Sequence, residues 1–210
     1  MYRYALMLLL STSLLVPSFT ASAADKATNA PAAGEMAPDF TLMDLRGTAH
    51  KLSDFRKGDS PKMVVIEWVN PECPFVVQGH QGGSLEGYGN ALQKRGVVFL
   101  AINSGAKGKQ GASPEKNKAG KARFKIEYPI LLDTSGKVGK DYGASRTPEM
   151  IVIDTKGKIV YRGAIDNTRG GDKEDVKTLV NYVDEALKAT QAGKAVSTPF
   201  VKPFGCSVKY

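Results

Sequence analysis

Residues 63–77 read Met63-Val64-Val65-Ile66-Glu67-Trp68-Val69-Asn70-Pro71-Glu72-Cys73-Pro74-Phe75-Val76-Val77, and this stretch restricts the fold more than any other feature of the chain. Its apolar run is rich in β-branched residues, which predicts a buried strand of a parallel sheet. A polar turn then leads to a cysteine followed by proline, so Cys73 falls where a strand ends and a helix begins. A thiol at a helix N-terminus meets unpaired backbone N–H groups and the positive end of the helix dipole, and both favour the thiolate. The thiolate is the nucleophilic form, so the position suits sulfur chemistry.

Two further features accompany it: Arg146-Thr147-Pro148 stands just ahead of an apolar run, and the opening at residues 36–42 reads Met36-Ala37-Pro38-Asp39-Phe40-Thr41-Leu42. Together with the order of elements between them, these resemble the thioredoxin superfamily, and within it the exported redoxin-type proteins, across roughly residues 36–190. The resemblance implies a cis Thr147-Pro148 bond whose loop lies against Cys73, with Pro74, Arg146, Thr147 and Pro148 contacting substrate. A cis X-Pro bond turns the chain sharply and leaves neighbouring backbone groups free to pair with an extended partner. One departure matters: thioredoxins carry a second cysteine three residues after the first, and this chain has Val76 there. The usual C-x-x-C disulfide cannot form.

The first 23 residues read as a signal peptide. Arg3 supplies the positive charge, an apolar stretch follows, and Ala21-Ser22-Ala23 fits the small-residue cleavage pattern, with Ala24 as the near alternative. No cysteine lies near that point to carry a lipid, and no later run approaches the ~20 apolar residues of a membrane span. The mature chain is therefore expected in the periplasm or secreted, with no membrane anchor after cleavage. Residues 24–35 read as a flexible leader, 36–192 as one thioredoxin-like domain, and 193–210 as an extension too apolar for a disordered tail. The formal charge of +8 falls by one on loss of Arg3. Neither a zinc-finger spacing nor an RNA-binding aromatic motif accompanies it, so nucleic acid is not expected as a partner.

The order of elements predicts an α/β fold with a central mixed sheet flanked by helices. An N-terminal hairpin turns at Arg46-Gly47-Thr48. A helix follows Cys73, breaks near Gly82-Gly83 in a kink or a hinge beside the thiol, and resumes over 84–94. A buried strand spans 97–102. Ser113-Pro114-Glu115 opens a lysine-rich helix in a segment read as a solvated surface, or else as a docking patch for an acidic partner. A short helix covers 138–143, a strand pair covers 150–154 and 159–162, and a long helix runs from a cap at Asp172 to about Gln191. Its face of Val176, Leu179, Val180, Val183 and Leu187 is assigned to the core.

The chain has two cysteines, Cys73 and Cys206, and the second lies in the tail Pro203-Phe204-Gly205-Cys206-Ser207. The leading reading is a thiol-disulfide oxidoreductase in which Cys73 attacks a substrate disulfide and Cys206 resolves the mixed disulfide. Its partners would be protein or small-molecule thiols and disulfides, among them a redox partner protein, and no cofactor or metal is required. A static bridge that staples the tail and a pair of free thiols stay open beside it. Glu67 lies six residues before Cys73, the offset at which thioredoxins place a buried proton-transferring acid, while an acid paired with a lysine for structure is the plainer alternative. Peroxidase chemistry is a second reading, although the proline and threonine that peroxiredoxins place before their cysteine correspond here to Ile66 and Asn70. A copper-handling module is a third, for which Cys73 and His80 make a poor Cu(I) site.

Overall fold

A computed structural model describes residues 30–168 and 176–210 of the chain. The expected signal segment and the expected cap at Asp172 lie outside them. Strands β1 (Thr41–Asp44) and β2 (Ala49–Lys51) form the N-terminal hairpin. Asp44 closes it, one carboxylate oxygen accepting from the backbone N–H groups of Arg46 and Thr48 at 2.8 and 2.9 Å. A short 3-10 helix follows at Leu52–Arg56.

The central strand is β3 (Val64–Trp68), and all of its residues are buried. It runs parallel to β4 (Val98–Asn103) and antiparallel to β7 (Glu149–Ile153). Strand β5 (Ile130–Leu132) extends the sheet to the hairpin on one side; β8 (Ile159–Gly163) and β9 (Phe200–Val201) extend it on the other. Among the described residues the sheet has eight strands in the order β2-β1-β5-β4-β3-β7-β8-β9. The expected mixed sheet is therefore present, and the tail contributes its last strand.

Alternation along β3 splits the core in two. Val65 and Val69 face a cluster that includes Val76, Leu92, Val183 and Leu187, supplied by helices α1 (Pro74–His80), α2 (Tyr88–Lys94) and α5 (Tyr182–Gln191). Val64, Ile66 and Trp68 face a second cluster with Leu52, Val138 and Tyr142, on the side of α4 (Lys137–Asp141). Glu67 shares the parity of Val65 and Val69, so a carboxylate enters the face on which α1 packs.

Three expectations need correction. Helix α2 begins at Tyr88 rather than at residue 84, because Gly87 caps it in the left-handed region at φ 66° and the chain before it turns sharply. The turn is tight: a Cβ at Gly83 would stand 2.7 Å from the Gly79 Cα. Helix α5 begins at Tyr182, where the Asn181 side chain accepts from the Asp184 N–H. Before it, Asn167 pairs with the backbone of Val180 and Thr178, so Val176, Leu179 and Val180 lie outside the helix and Leu179 is 42% exposed. The last part of the expected leader is not loose. Gly34 donates to the Ile159 carbonyl at 2.7 Å, and Arg162 reaches the Pro31 carbonyl at 3.1 Å.

Candidate active site

Strand β3 ends in a turn that delivers Cys73 to the cap of α1, with Pro74 in the first helical turn. The turn is pinned from inside and outside. One oxygen, the Asn70 side-chain carbonyl, accepts from the Glu72 N–H at 2.9 Å, while the same amide donates to the Gln110 carbonyl at 3.0 Å. From helix α3 (Pro114–Arg123), Arg123 donates to the Pro71 carbonyl and Lys116 pairs with Glu72 at 2.6 Å. Part of the basic segment thus anchors the cysteine turn, a use that charge counting did not suggest.

The second wall is the Thr147-Pro148 loop, and its bond is cis. The Cys73 thiol donates to the Thr147 carbonyl oxygen at 3.1 Å. Strand β6 (Arg146–Thr147) pairs antiparallel with β10 (Cys206–Ser207), with Cys206 opposite Thr147 and Ser207 opposite Arg146. This ladder carries the tail cysteine to Cys73: the two sulfurs lie 2.7 Å apart, as free thiols, so a small approach would bring them to the ~2.05 Å of a disulfide bond.

The crossing depends on Gly205, at φ 134°, where a Cβ would stand 2.2 Å from the Thr147 carbonyl oxygen. Beyond Cys206 the chain is tied down again. Val208 donates to the Ser145 carbonyl, the Lys209 carbonyl accepts from Ala106, and the Tyr210 hydroxyl donates to the Ala144 carbonyl at 2.8 Å. Before it, Phe204 meets Phe75 edge to face with ring centroids 5.9 Å apart.

Electrostatics separate the two thiols. Burial pushes the Cys73 thiol up, but hydrogen bonds from the Cys206 thiol, the Thr147 side chain and the Val76 backbone outweigh it and hold Cys73 below the ordinary 9.0. Burial, the hydrogen bond to Cys73 and the charge that develops there push the Cys206 thiol up to about 11. Cys73 is thus the first to ionise, with Cys206 holding its proton against it. Accessibility runs the other way, for Cys73 is 1% exposed and Cys206 is half-buried.

Glu67 is fully buried, and its partners differ from the lysine of the structural alternative. His80 Nε2 lies 3.0 Å from one oxygen, and the Tyr128 hydroxyl donates to the other at 3.3 Å. Burial and the Glu67 charge together keep that hydroxyl protonated, well above its ordinary range. His80 also stacks on Phe124, so it is committed to this cluster rather than presented beside Cys73. Arg146 folds its guanidinium onto the Ser145 carbonyl at 3.1 Å. Of the residues expected at the site, Cys73, Pro74, Thr147, Pro148 and Cys206 come together, and Arg146 stands beside them in β6, opposite Ser207.

One residue without an assigned role in the sequence proves central. Glu149, the residue after the cis proline, is buried and accepts from the Ser145 and Arg146 N–H groups at 2.8 and 3.2 Å, and its other oxygen meets Arg162 at 3.0 Å. It fixes the loop that faces Cys73. Its signal was a carboxylate opening an apolar strand, with an arginine on the next strand to pair with it.

The family model described as Redoxin matches residues 32–180. A thiol-disulfide oxidoreductase ResA of Geobacillus thermodenitrificans is 32% identical over 152 residues, which are 70% of this chain and 76% of that protein. A chloroplastic peroxiredoxin Q of Suaeda salsa is 26% identical over 192 residues, 87% of this chain and 77% of that protein. Among solved structures, a hypothetical protein from Sinorhizobium meliloti is 30% identical with a TM-score of 0.73, covering 85% of this chain and 94% of its own. With a family model spanning well over half of the chain and a thioredoxin-like sheet bearing its cysteine and cis proline in the matching order, this chain belongs to the redoxin family.

Proposed function

We propose that this redoxin is an exported thiol-disulfide oxidoreductase whose redox centre is the pair Cys73 and Cys206. The observation that carries the reading is the 2.7 Å approach of the two sulfurs, held by the ladder between β6 and β10. Closing the bond between them removes two protons and two electrons from the thiols, and a partner disulfide that accepts them leaves as a dithiol. Reduction by a partner dithiol runs the same steps backwards. Cys206 stands in for the cysteine that Val76 replaces, and the lowered Cys73 thiol supplies the stable thiolate of the reduced state. Residues 1–23 would direct export, and among the described residues no helix is long and apolar enough to cross a membrane.

Peroxide reduction is less well supported. Asn70 occupies the place of the peroxiredoxin threonine, but its amide is spent on Glu72 and Gln110, and Ile66 packs in the opposite core cluster. The test is exchange between the oxidised protein and a model dithiol peptide, run beside Cys73→Ser and Cys206→Ser. Oxidation of the dithiol by the wild type and its loss in both variants is the expected result. Full activity in Cys206→Ser would overturn the pair as the redox centre.

A further inference from the structure

The sequence places Cys73 as the sulfur that meets the partner, but the geometry points to the other member of the pair. We infer that in the oxidised protein a partner thiolate attacks the sulfur of Cys206, so that the mixed disulfide forms on the tail cysteine and Cys73 departs as the thiolate. This rests on the reading of the pair as redox-active and adds the order in which its sulfurs act.

Thiol-disulfide exchange requires the incoming, central and leaving sulfurs to lie nearly in line, and its rate depends on which sulfur can be reached and on how well the other leaves. An attack on Cys73 would have to come from the side away from Cys206. That side is the protein interior: Cys73 is 1% exposed and belongs to the same core cluster as Val69, Val76, Leu85 and Met150. A partner thiolate has no path there without unpacking α1 from the sheet. Cys206 instead lies on the short strand β10 at the edge of a two-stranded ladder, and it is half-buried. A cavity of 590 Å³ bordered by Phe75, Tyr182, Val201, Phe204 and Gly205 flanks the tail just before it, giving space on that side for the residues next to the incoming cysteine.

The tail does not need to move for this step, and its anchors argue that it stays. At 205 a residue without a Cβ lets the tail lie against the Thr147 carbonyl, and the Tyr210 hydroxyl holds the segment after Cys206 on Ala144. Leaving-group chemistry agrees with access. The departing Cys73 thiolate is favoured against its burial by the Thr147 side chain and the Val76 backbone N–H, whereas at a departing Cys206 burial opposes the thiolate and the Lys209 charge is what favours it. The lower-pKa thiol leaves faster.

The electron bookkeeping closes. The partner thiolate forms a bond to Cys206 as the Cys73–Cys206 bond breaks, and the electron pair leaves on Cys73. A second thiolate of the partner then attacks the partner sulfur of the mixed disulfide, forming the partner's disulfide and releasing Cys206, which takes up the proton given by that second thiol. The partner dithiol has lost two electrons and the protein has gained them. The same order makes the oxidised protein a fast acceptor, since its attacked sulfur is accessible. It makes the reduced protein a slow donor, since its thiolate is buried and its accessible sulfur is protonated.

The test uses the oxidised full-length mature protein and reduced glutathione as the probe. The reaction is quenched in acid at early times, the free thiols are alkylated with N-ethylmaleimide, and the peptides are mapped by mass spectrometry. The expected result is glutathione on the Cys206 peptide with the alkyl group on Cys73, in about tenfold or greater excess over the reverse labelling. Glutathione on the Cys73 peptide, or an even split, overturns the inference while leaving the redox pair intact. Absence of any exchange at a formed disulfide removes the redox reading and this inference with it. A second measurement guards against migration of the label: in reduced Cys206→Ser, Cys73 should still react about tenfold more slowly with bulky 5,5-dithiobis-nitrobenzoate than its thiolate fraction allows. Unhindered reaction there would also contradict the buried-nucleophile geometry.

Discussion

Cys206 and Thr147 stand opposite one another as Cα partners in the antiparallel ladder of β6 and β10. The tail therefore lies along the edge of the cis-proline loop, the place at which the sequence led us to expect an extended substrate. Position 206 offers its sulfur to Cys73 from there, as a bound substrate cysteine would. The chain has in effect put its own segment in the groove.

That placement depends on Gly205. Alanine at 205 would meet the Thr147 carbonyl and be forced into a φ of 134°, at a cost of about 2 kcal/mol. Gly205→Ala should loosen the tail, raise the alkylation rate of reduced Cys73, and make the Cys73–Cys206 bond easier to reduce. Timed alkylation with peptide mapping checks this, and unchanged protection of Cys73 would argue that the ladder does not cover it.

The ionisation order can be read from the thiolate ultraviolet absorbance as a function of pH. In the reduced wild type the first thiol should titrate below 9.0 and belong to Cys73, since burial raises it but the Cys206, Thr147 and Val76 hydrogen bonds more than offset that. Cys206→Ala removes the largest of those donors, so the Cys73 midpoint should move up. Cys73→Ala removes the charge and hydrogen bond that raise Cys206, so the Cys206 midpoint should fall from about 11.

Glu149 should matter more for stability than its distance in sequence from either cysteine suggests. Glu149→Ala leaves the half-buried Arg162 with the Pro31 and Gly143 carbonyls in place of its carboxylate, and the Ser145 and Arg146 N–H groups without their acceptor, a loss of about 3 kcal/mol in urea unfolding. Glu149→Gln keeps an oxygen for those N–H groups and should lose less. Equal stability of all three proteins would remove the anchoring role.

Glu67 should be decided by the same titration. Its oxygens are occupied by His80 and Tyr128, and the largest influences on Cys73 come from other groups. Glu67→Gln should leave the Cys73 midpoint in place, whereas His80→Ala should cost about 3 kcal/mol of stability by stripping a buried carboxylate of its partner. A clear shift of the Cys73 midpoint in Glu67→Gln would restore the proton-transfer role.

Much of this architecture was legible in the sequence because its signals are local. The strand at β3, the cysteine at a helix cap, Ser113 capping α3 and the Thr147-Pro148 segment each declare themselves within a few residues. The expected helix over 172–191 failed in its first part for the opposite reason. Leu179 and Val180 recur at helical spacing, but Asn167, distant in sequence, pairs with the backbone around them and Asn181 supplies the later cap. Glu67 was visible as a buried acid, yet its partner His80 lies two helical turns beyond Cys73 and could not be picked out by charge, since lysine was the commoner candidate. The Cys206 pairing came from counting cysteines, but which of the two sulfurs is reachable followed only from the ladder and the core packing.

The most direct test of the redox pair is the thiol state of the mature protein by mass spectrometry across a glutathione redox titration. A Cys73–Cys206 disulfide that opens reversibly at a potential near or above about −200 mV is the predicted result, since a hydrogen-bonded Cys73 thiolate stabilises the reduced form. A bridge that resists reduction below about −300 mV, or thiols that stay free throughout, would contradict it.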